Sequence, residues 1–107
     1  MFKIQELKRK CRAFIESEMT IYTAADLKES LCSVLDDPRE LEINLNKVNE
    51  IDSAGIQLLM LAKKERAQHD RKTTLTAHSN AVLETLELLG LIPYFGDPVV
   101  MSRNKGE

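Results

Sequence analysis

Tryptophan is absent from this chain, and glycine, proline and cysteine are scarce: four, three and two residues among 107. The four glycines, at 55, 90, 96 and 106, form no Gly-rich phosphate loop of either common type, so no nucleotide site is legible. Cys11 and Cys32 are too few and too isolated for a disulfide scaffold and fit a reduced, intracellular chain in which both serve as small core residues. A zinc site drawn from Cys11, Cys32, His69 and His78 fails on spacing, since no Cys-x-x-Cys or His-x-x-x-His pair occurs. Neither sign of charge dominates, with 15 Lys and Arg against 17 Asp and Glu. Few aromatics and no basic stripe leave nucleic acid a poor partner. The longest apolar runs, 58–62 and 88–92, are about five residues. A membrane span needs about 20 and a secretory h-region at least about seven. The expectation is a cytoplasmic chain with no direct membrane insertion.

What is present points to a packed domain. Hydrophobic residues make up 43% of the chain and charged residues 30%, too apolar a mixture for self-repelling disorder. The size is that of one domain, expected over 1–101, with a polar, frayed tail over 102–107. Residues 2–7 and 11–19 mix β-branched and aromatic residues with charges and read as two strands across the polar turn Lys8-Arg9-Lys10. Thr23, followed three residues later by Asp26, imitates a capping box. Ala24, Leu27, Leu31, Val34 and Leu35 then recur at helical spacing until Asp36-Asp37-Pro38. Leu41, Ile43 and Leu45 alternate with polar residues as a strand does. A second helix is expected over 56–68 and a strand over 72–77. A third helix, capped by Ser79 or Asn80, carries Val82, Leu83, Leu86 and Leu89 and ends at Gly90. Tyr94-Phe95 and, after a turn at Gly96-Asp97-Pro98, a last strand over 99–101 complete the chain. Strand and helix alternate as in βαβ units, which predicts an α/β fold with a mixed four- to five-stranded sheet and about three packed helices.

In such sheets, sites form where a strand's carboxyl end meets the next helix's amino end. Here that address is Asp52-Ser53. Both are natural N-cap residues, because a short side-chain oxygen can accept from the first turn's unpaired N–H groups. Ser53 therefore has a plain structural reading, a cap worth about 1 kcal/mol. A catalytic triad of Ser53 with His78 or His69 lacks the Gly-x-Ser-x-Gly elbow, position 51 being Ile, so no catalytic residue is assigned and the chain is not expected to be an enzyme.

The run Ile51-Asp52-Ser53-Ala54-Gly55-Ile56, placed after a strand and before a helix, resembles the Asp-Ser-(Ser/Thr)-Gly-(Leu/Ile/Val) signature of STAS domains, the family of bacterial anti-sigma factor antagonists. The likeness covers about 11–101. It takes in Glu18-Met19-Thr20-Ile21-Tyr22-Thr23-Ala24 as the strand-to-helix turn and Leu41-Glu42-Ile43-Asn44-Leu45 as the central strand. Ala54 replaces the common Ser or Thr, and Thr20 stands where many antagonists carry Asp. The resemblance implies that Ser53 accepts a phosphate and that Asp52, Ser53, Ala54, Gly55, Ile56, Thr20 and Tyr22 meet a partner. It implies as partners an anti-sigma factor or switch-protein serine kinase and a serine phosphatase. No cofactor or metal is expected in the domain itself. Asp52-Ser53-Ala54-Gly55 is also similar to the Asp-Thr-Ala-Gly of a STAS subunit that sits on a lipid-transport ABC ATPase, which leaves a constitutive subunit as the alternative.

Placed at about 100° per residue, Ile56, Leu58, Leu59, Met60, Ala62 and Ala67 share one broad sector of helix two. Leu61 lands outside it, between Lys64 and Glu65. It is either covered by a neighbouring loop or an apolar contact for a partner.

Overall fold

The structure, a computed structural model, describes residues 2–96. A hairpin of β1 (Phe2–Glu6) and β2 (Lys10–Ile15) opens the fold. Two crossover units follow: α1 (Ala24–Leu35) leads to β3 (Glu40–Asn44), and α2 (Ser53–Ala67) leads to β4 (Thr73–Thr76). α3 (Asn80–Leu88) and the single-turn α4 (Ile92–Phe95) close the described chain. The four strands lie in the order β1-β2-β3-β4, with β1 antiparallel to β2 and the other pairings parallel. The mixed α/β expectation holds with four strands. The strand expected over 99–101 and the tail lie outside the described residues.

Period-two burial sets the layers. Cys11, Ala13 and Ile15 of β2, Leu41 and Ile43 of β3, and Leu75 of β4 point into one core. Leu27, Leu31 and Val34 of α1, Ile56 and Leu59 of α2, and Val82 and Leu86 of α3 complete it. The opposite sheet face is polar: Lys10 Nζ and Arg12 Nε both donate to the Glu42 carboxylate, at 2.6 and 2.8 Å.

Several local expectations are corrected. β2 stops at Ile15, and Met19 rejoins only through a single parallel bridge with Ile51. Thr23 stands at the N-cap of α1 without capping it; its hydroxyl turns back to the Glu18 carbonyl at 2.8 Å and accepts from Thr20 N at 3.0 Å. Cys32 is exposed, because one step past buried Leu31 rotates it about 100° away from the core. Helix α2 begins three residues before the expected start, at Ser53. Tyr94 and Phe95 are helical, with Pro93 in the first turn of α4. Ser79 does cap α3, accepting from Val82 N at 3.2 Å while donating to the Val48 carbonyl. Gly90 adopts the left-handed conformation expected of it, with φ 68°.

The largest departure from the helical pattern is on α2, where Ala67 is exposed and Arg66 is wholly buried. The Arg66 guanidinium donates to Thr73 Oγ1 (2.8 Å) and to the carbonyls of Asp37 (2.9 Å), Arg39 (2.6 Å) and Lys72 (2.9 Å). Longer bonds reach the carbonyls of Val34 and Leu35. These acceptors include C-terminal carbonyls of α1, those of Val34 and Leu35, and the last turn of that helix has no cation of its own. Arg66 therefore caps α1 from another helix and supplies the positive charge its dipole favours. Burial lowers the Arg66 pKa, yet an arginine so placed stays charged.

Candidate functional site

The chain leaves β3 at Asn44, passes through Leu45 and Val48, both buried, and reaches Asp52 at the carboxyl end of the parallel strands. Asp52 is extended, with φ −121° and ψ −170°, which aims its carboxylate at the first turn of α2. Oδ1 accepts from Ala54 N at 2.9 Å and Gly55 N at 3.3 Å. Oδ2 accepts from Ile21 N at 3.0 Å, across 31 positions of sequence. One carboxylate thus caps α2 and tethers the 16–23 loop. The bond from Ile21, with those from Gly55 and Ala54, holds the Asp52 carboxyl below the usual aspartate range.

The loop is held from beneath as well. Met19 N donates to Glu50 O at 2.8 Å and Asp52 N to Met19 O at 3.1 Å, forming the parallel bridge. Gly55 permits this approach. A Cβ there would lie 2.7 Å from Met19 Cβ and 2.9 Å from Ile51 Cγ1, and closer still to the Met19 carbonyl. Thr20, buried, donates its hydroxyl to the Glu18 carboxylate at 2.7 Å and accepts from Tyr22 N at 3.3 Å. Glu18 and Ile21 are site residues that sequence reasoning missed. Their bonds depend on how the loop folds over Asp52, which no local spacing reveals.

Because Asp52 is the cap, Ser53 becomes the first residue of α2 proper, exposed, with no side-chain hydrogen bond among the described residues. The plain structural reading of Ser53 is overturned. Around it the expected contact residues divide. Tyr22 is 89% exposed, with Ile21 beside it at 70%, and Leu61 is 38% exposed. Thr20, Gly55 and Ile56 are buried, so they shape the surface from below and present no side chain on it. Ala54 is partly exposed and lines a groove of about 440 Å³ with Ala24, Ala25, Lys28, Gln57 and Leu61. His78 is buried and His69 lies beyond the far end of α2, so neither joins Ser53 at the surface. Among the described residues no three His, Cys, Asp or Glu side chains gather as a metal site, and no helix is long and apolar enough to cross a membrane.

A four-stranded mixed sheet with an Asp-capped, serine-led helix at its carboxyl edge defines the class. The family model described as Mlab, STAS domain, matches residues 4–92, and the chain belongs to the STAS-domain family. It is 28% identical over 78 residues to an anti-sigma-B factor antagonist of Staphylococcus aureus, covering 72% of each chain. A solved anti-sigma factor antagonist from Mycobacterium paratuberculosis superposes with a TM-score of 0.81 at 20% identity, covering 92% of this chain and 83% of that one. The Bacillus cell fate determinant SpoIIAA in its phosphorylated form superposes with a TM-score of 0.69 at 14% identity, covering 97% and 93%. These two likenesses are likenesses of fold.

Proposed function

We propose that this protein is a non-enzymatic binding switch of the anti-sigma factor antagonist kind, controlled by phosphorylation of Ser53. The observation that carries this reading is the freed hydroxyl. Asp52 satisfies the helix end, so Ser53, exposed at the amino terminus of α2, has a hydroxyl left unengaged among the described residues. A partner serine kinase would transfer the γ-phosphoryl group of ATP·Mg²⁺ to Oγ: the Oγ–P bond forms, the bond to the ADP leaving group breaks, and the hydroxyl proton passes to the kinase's base. A serine phosphatase would restore the hydroxyl by hydrolysis. The unphosphorylated surface of Tyr22, Ile21, Ala54 and Leu61 would grip an anti-sigma factor or the kinase itself. Phosphate adds about 1.5 to 2 negative charges beside Asp52, and the amino end of α2 offsets part of that within the protein. The repulsion falls mainly on the partner. Support comes from the antagonist role of the Staphylococcus relative and from a fold neighbour solved in a phosphorylated form.

A second reading keeps the surface and drops the phosphate. Ala54 gives the motif its likeness to the Asp-Thr-Ala-Gly of STAS subunits on transporter ATPases, which favours a constitutive subunit. Calorimetry with the partner copurified from the native host separates the two readings. Ser53→Asp is expected to weaken binding by at least about tenfold while Ser53→Ala preserves it, since a charge at the contact must be desolvated and a methyl need not be. Equal binding by both variants, with no phosphate on Ser53 in cells, would leave the constitutive subunit standing.

A further inference from the structure

Resting on the reading of Ser53 as the edge of a docking surface, we propose that the groove between α1 and α2 receives an amphipathic helix of a partner protein that carries a carboxylate to pair with Lys28. One open crevice, of about 440 Å³, is walled by Ala24, Ala25, Ala54 and Gln57; beyond it the two helices close to a seam of only about 10 Å³ that runs past Leu31, Cys32 and Leu35 to Ala62, with Lys28, Leu58 and Leu61 bordering both. From Ala24 to Leu35 the α1 wall is about 16 Å long at 1.5 Å per residue, which matches about three turns of a docked helix.

The chemistry of the walls selects the occupant. Both sides are α-helices whose backbone groups are consumed by their own ladders, so an extended peptide would find no edge to pair with, whereas a helix satisfies its own backbone and needs only an apolar seat. Alanines at 24, 25 and 54 allow close approach at the Ser53 end, and half-exposed Leu61 offers a ridge. Lys28 is the one charged side chain in either lining and has no ion-pair partner among the described residues. An apolar helix laid over it would strip water from an ammonium with nothing in return, while a helix bearing Asp or Glu at that level supplies the counter-charge. The groove therefore favours acidic amphipathic helices over basic ones. Ala54, directly after Ser53, forms its mouth, so a phosphate on Ser53 would repel the same carboxylate that Lys28 attracts.

A peptide selection tests the groove whatever the identity of the natural partner. A phage-displayed library of helix-forming 14-residue peptides is selected on the unphosphorylated protein, and the enriched peptides are mapped by amide NMR. The expected result is enrichment of apolar residues at i, i+3, i+4 and i+7 flanked by Asp or Glu, with shifts confined to residues 24–35 and 54–62. Lys28→Glu should weaken those peptides by at least about tenfold, and selection on that variant should enrich Lys or Arg in place of the acid. Lys28 is exposed and makes no bond among the described residues, so the variant's thermal midpoint should match the parent's. No enrichment, no acidic preference, or shifts elsewhere overturn the groove. Selection does not involve Ser53 chemistry, so such a failure leaves the phosphorylation switch untouched. Conversely, equal partner binding by the two Ser53 variants sinks the switch and leaves the groove standing.

Discussion

A single carboxylate at position 52 does two jobs that its amide analogue can separate. Oδ1 caps α2, and Oδ2 holds the Ile21 amide. Asparagine retains one acceptor oxygen and replaces the other with an amide donor, which Ile21 N cannot use. Asp52→Asn should therefore keep the cap and release the loop. Hydrogen exchange is expected to accelerate at Ile21 and Tyr22 while Ala54 and Gly55 keep their protection; acceleration at Ala54 and Gly55 as well would show that the cap and the tether act as one unit. The site at this scale was half legible. That residues 52 and 53 sit at a helix start follows from their short polar side chains ahead of an apolar run. Which of them caps the helix is decided by the extended backbone of Asp52, set in turn by the Met19–Ile51 bridge.

At the scale of elements, the helices were legible by their periods and the ends of the strands were not. Leu27, Leu31 and Val34 face the core from α1 as the spacing predicts, and Val82 and Leu86 do so from α3. α2 was harder to read, since a charge in its last turn, Arg66, is the buried residue and Ala67 the exposed one. The signal that could have found it is the lack of any cation in the last turn of α1, which leaves that helix end to be served from elsewhere. Arg66→Met keeps volume and removes every donor, taking the Arg66 bonds from the Asp37 and Arg39 carbonyls and from Thr73 Oγ1, while the Lys72 carbonyl keeps the Leu41 N–H. At about 1 to 3 kcal/mol for each unmet buried group, the loss should reach at least about 3 kcal/mol. Arg66→Lys should recover only part of it, because an ammonium has three donors and no planar fork. Urea unfolding of the three proteins measures this; a loss below about 1 kcal/mol for Arg66→Met would refute the keystone role.

For the molecule as a whole, the loops at the end remote from Ser53 are tied together by two arginines. Arg39 donates to both Asp37 oxygens and to the Leu7 carbonyl, joining the hairpin turn to the loop ahead of β3. Arg66 joins that loop to the start of β4. The side-chain bond from Arg39, aided by its backbone N–H, lowers the Asp37 pKa from 3.8 to about 2. A carboxyl whose folded pKa is depressed stabilises the fold above its unfolded value and loses that contribution as pH falls through the folded one. Stability should thus drop between about pH 4 and pH 2. Asp37→Asn should cost about 1 kcal/mol at neutral pH, partial exposure of the pair reducing the full linkage value, and only a small part of that at pH 2, where the folded carboxyl is about half protonated. Denaturant midpoints of both proteins at pH 7, 4 and 2 check this; a gap of undiminished size at pH 2 would assign the loss to shape instead of charge.

The sequence by itself determined the α/β class, the order of the elements, the placement of Asp52-Ser53 at a helix start and the family likeness. All of these are written in contiguous residues, as period, cap chemistry or motif. Tertiary structure alone decided that Asp52 is the cap while Ser53 stays exposed, that Gly55 and Ile56 lie beneath the surface that Tyr22 and Leu61 present, and that Arg66 belongs to the core. Each of those outcomes hangs on partners about thirty positions away: Ile21 for Asp52, the end of α1 for Arg66. A buried polar group is satisfied by whatever the fold brings within 3 Å of it, and chain proximity does not record what that will be.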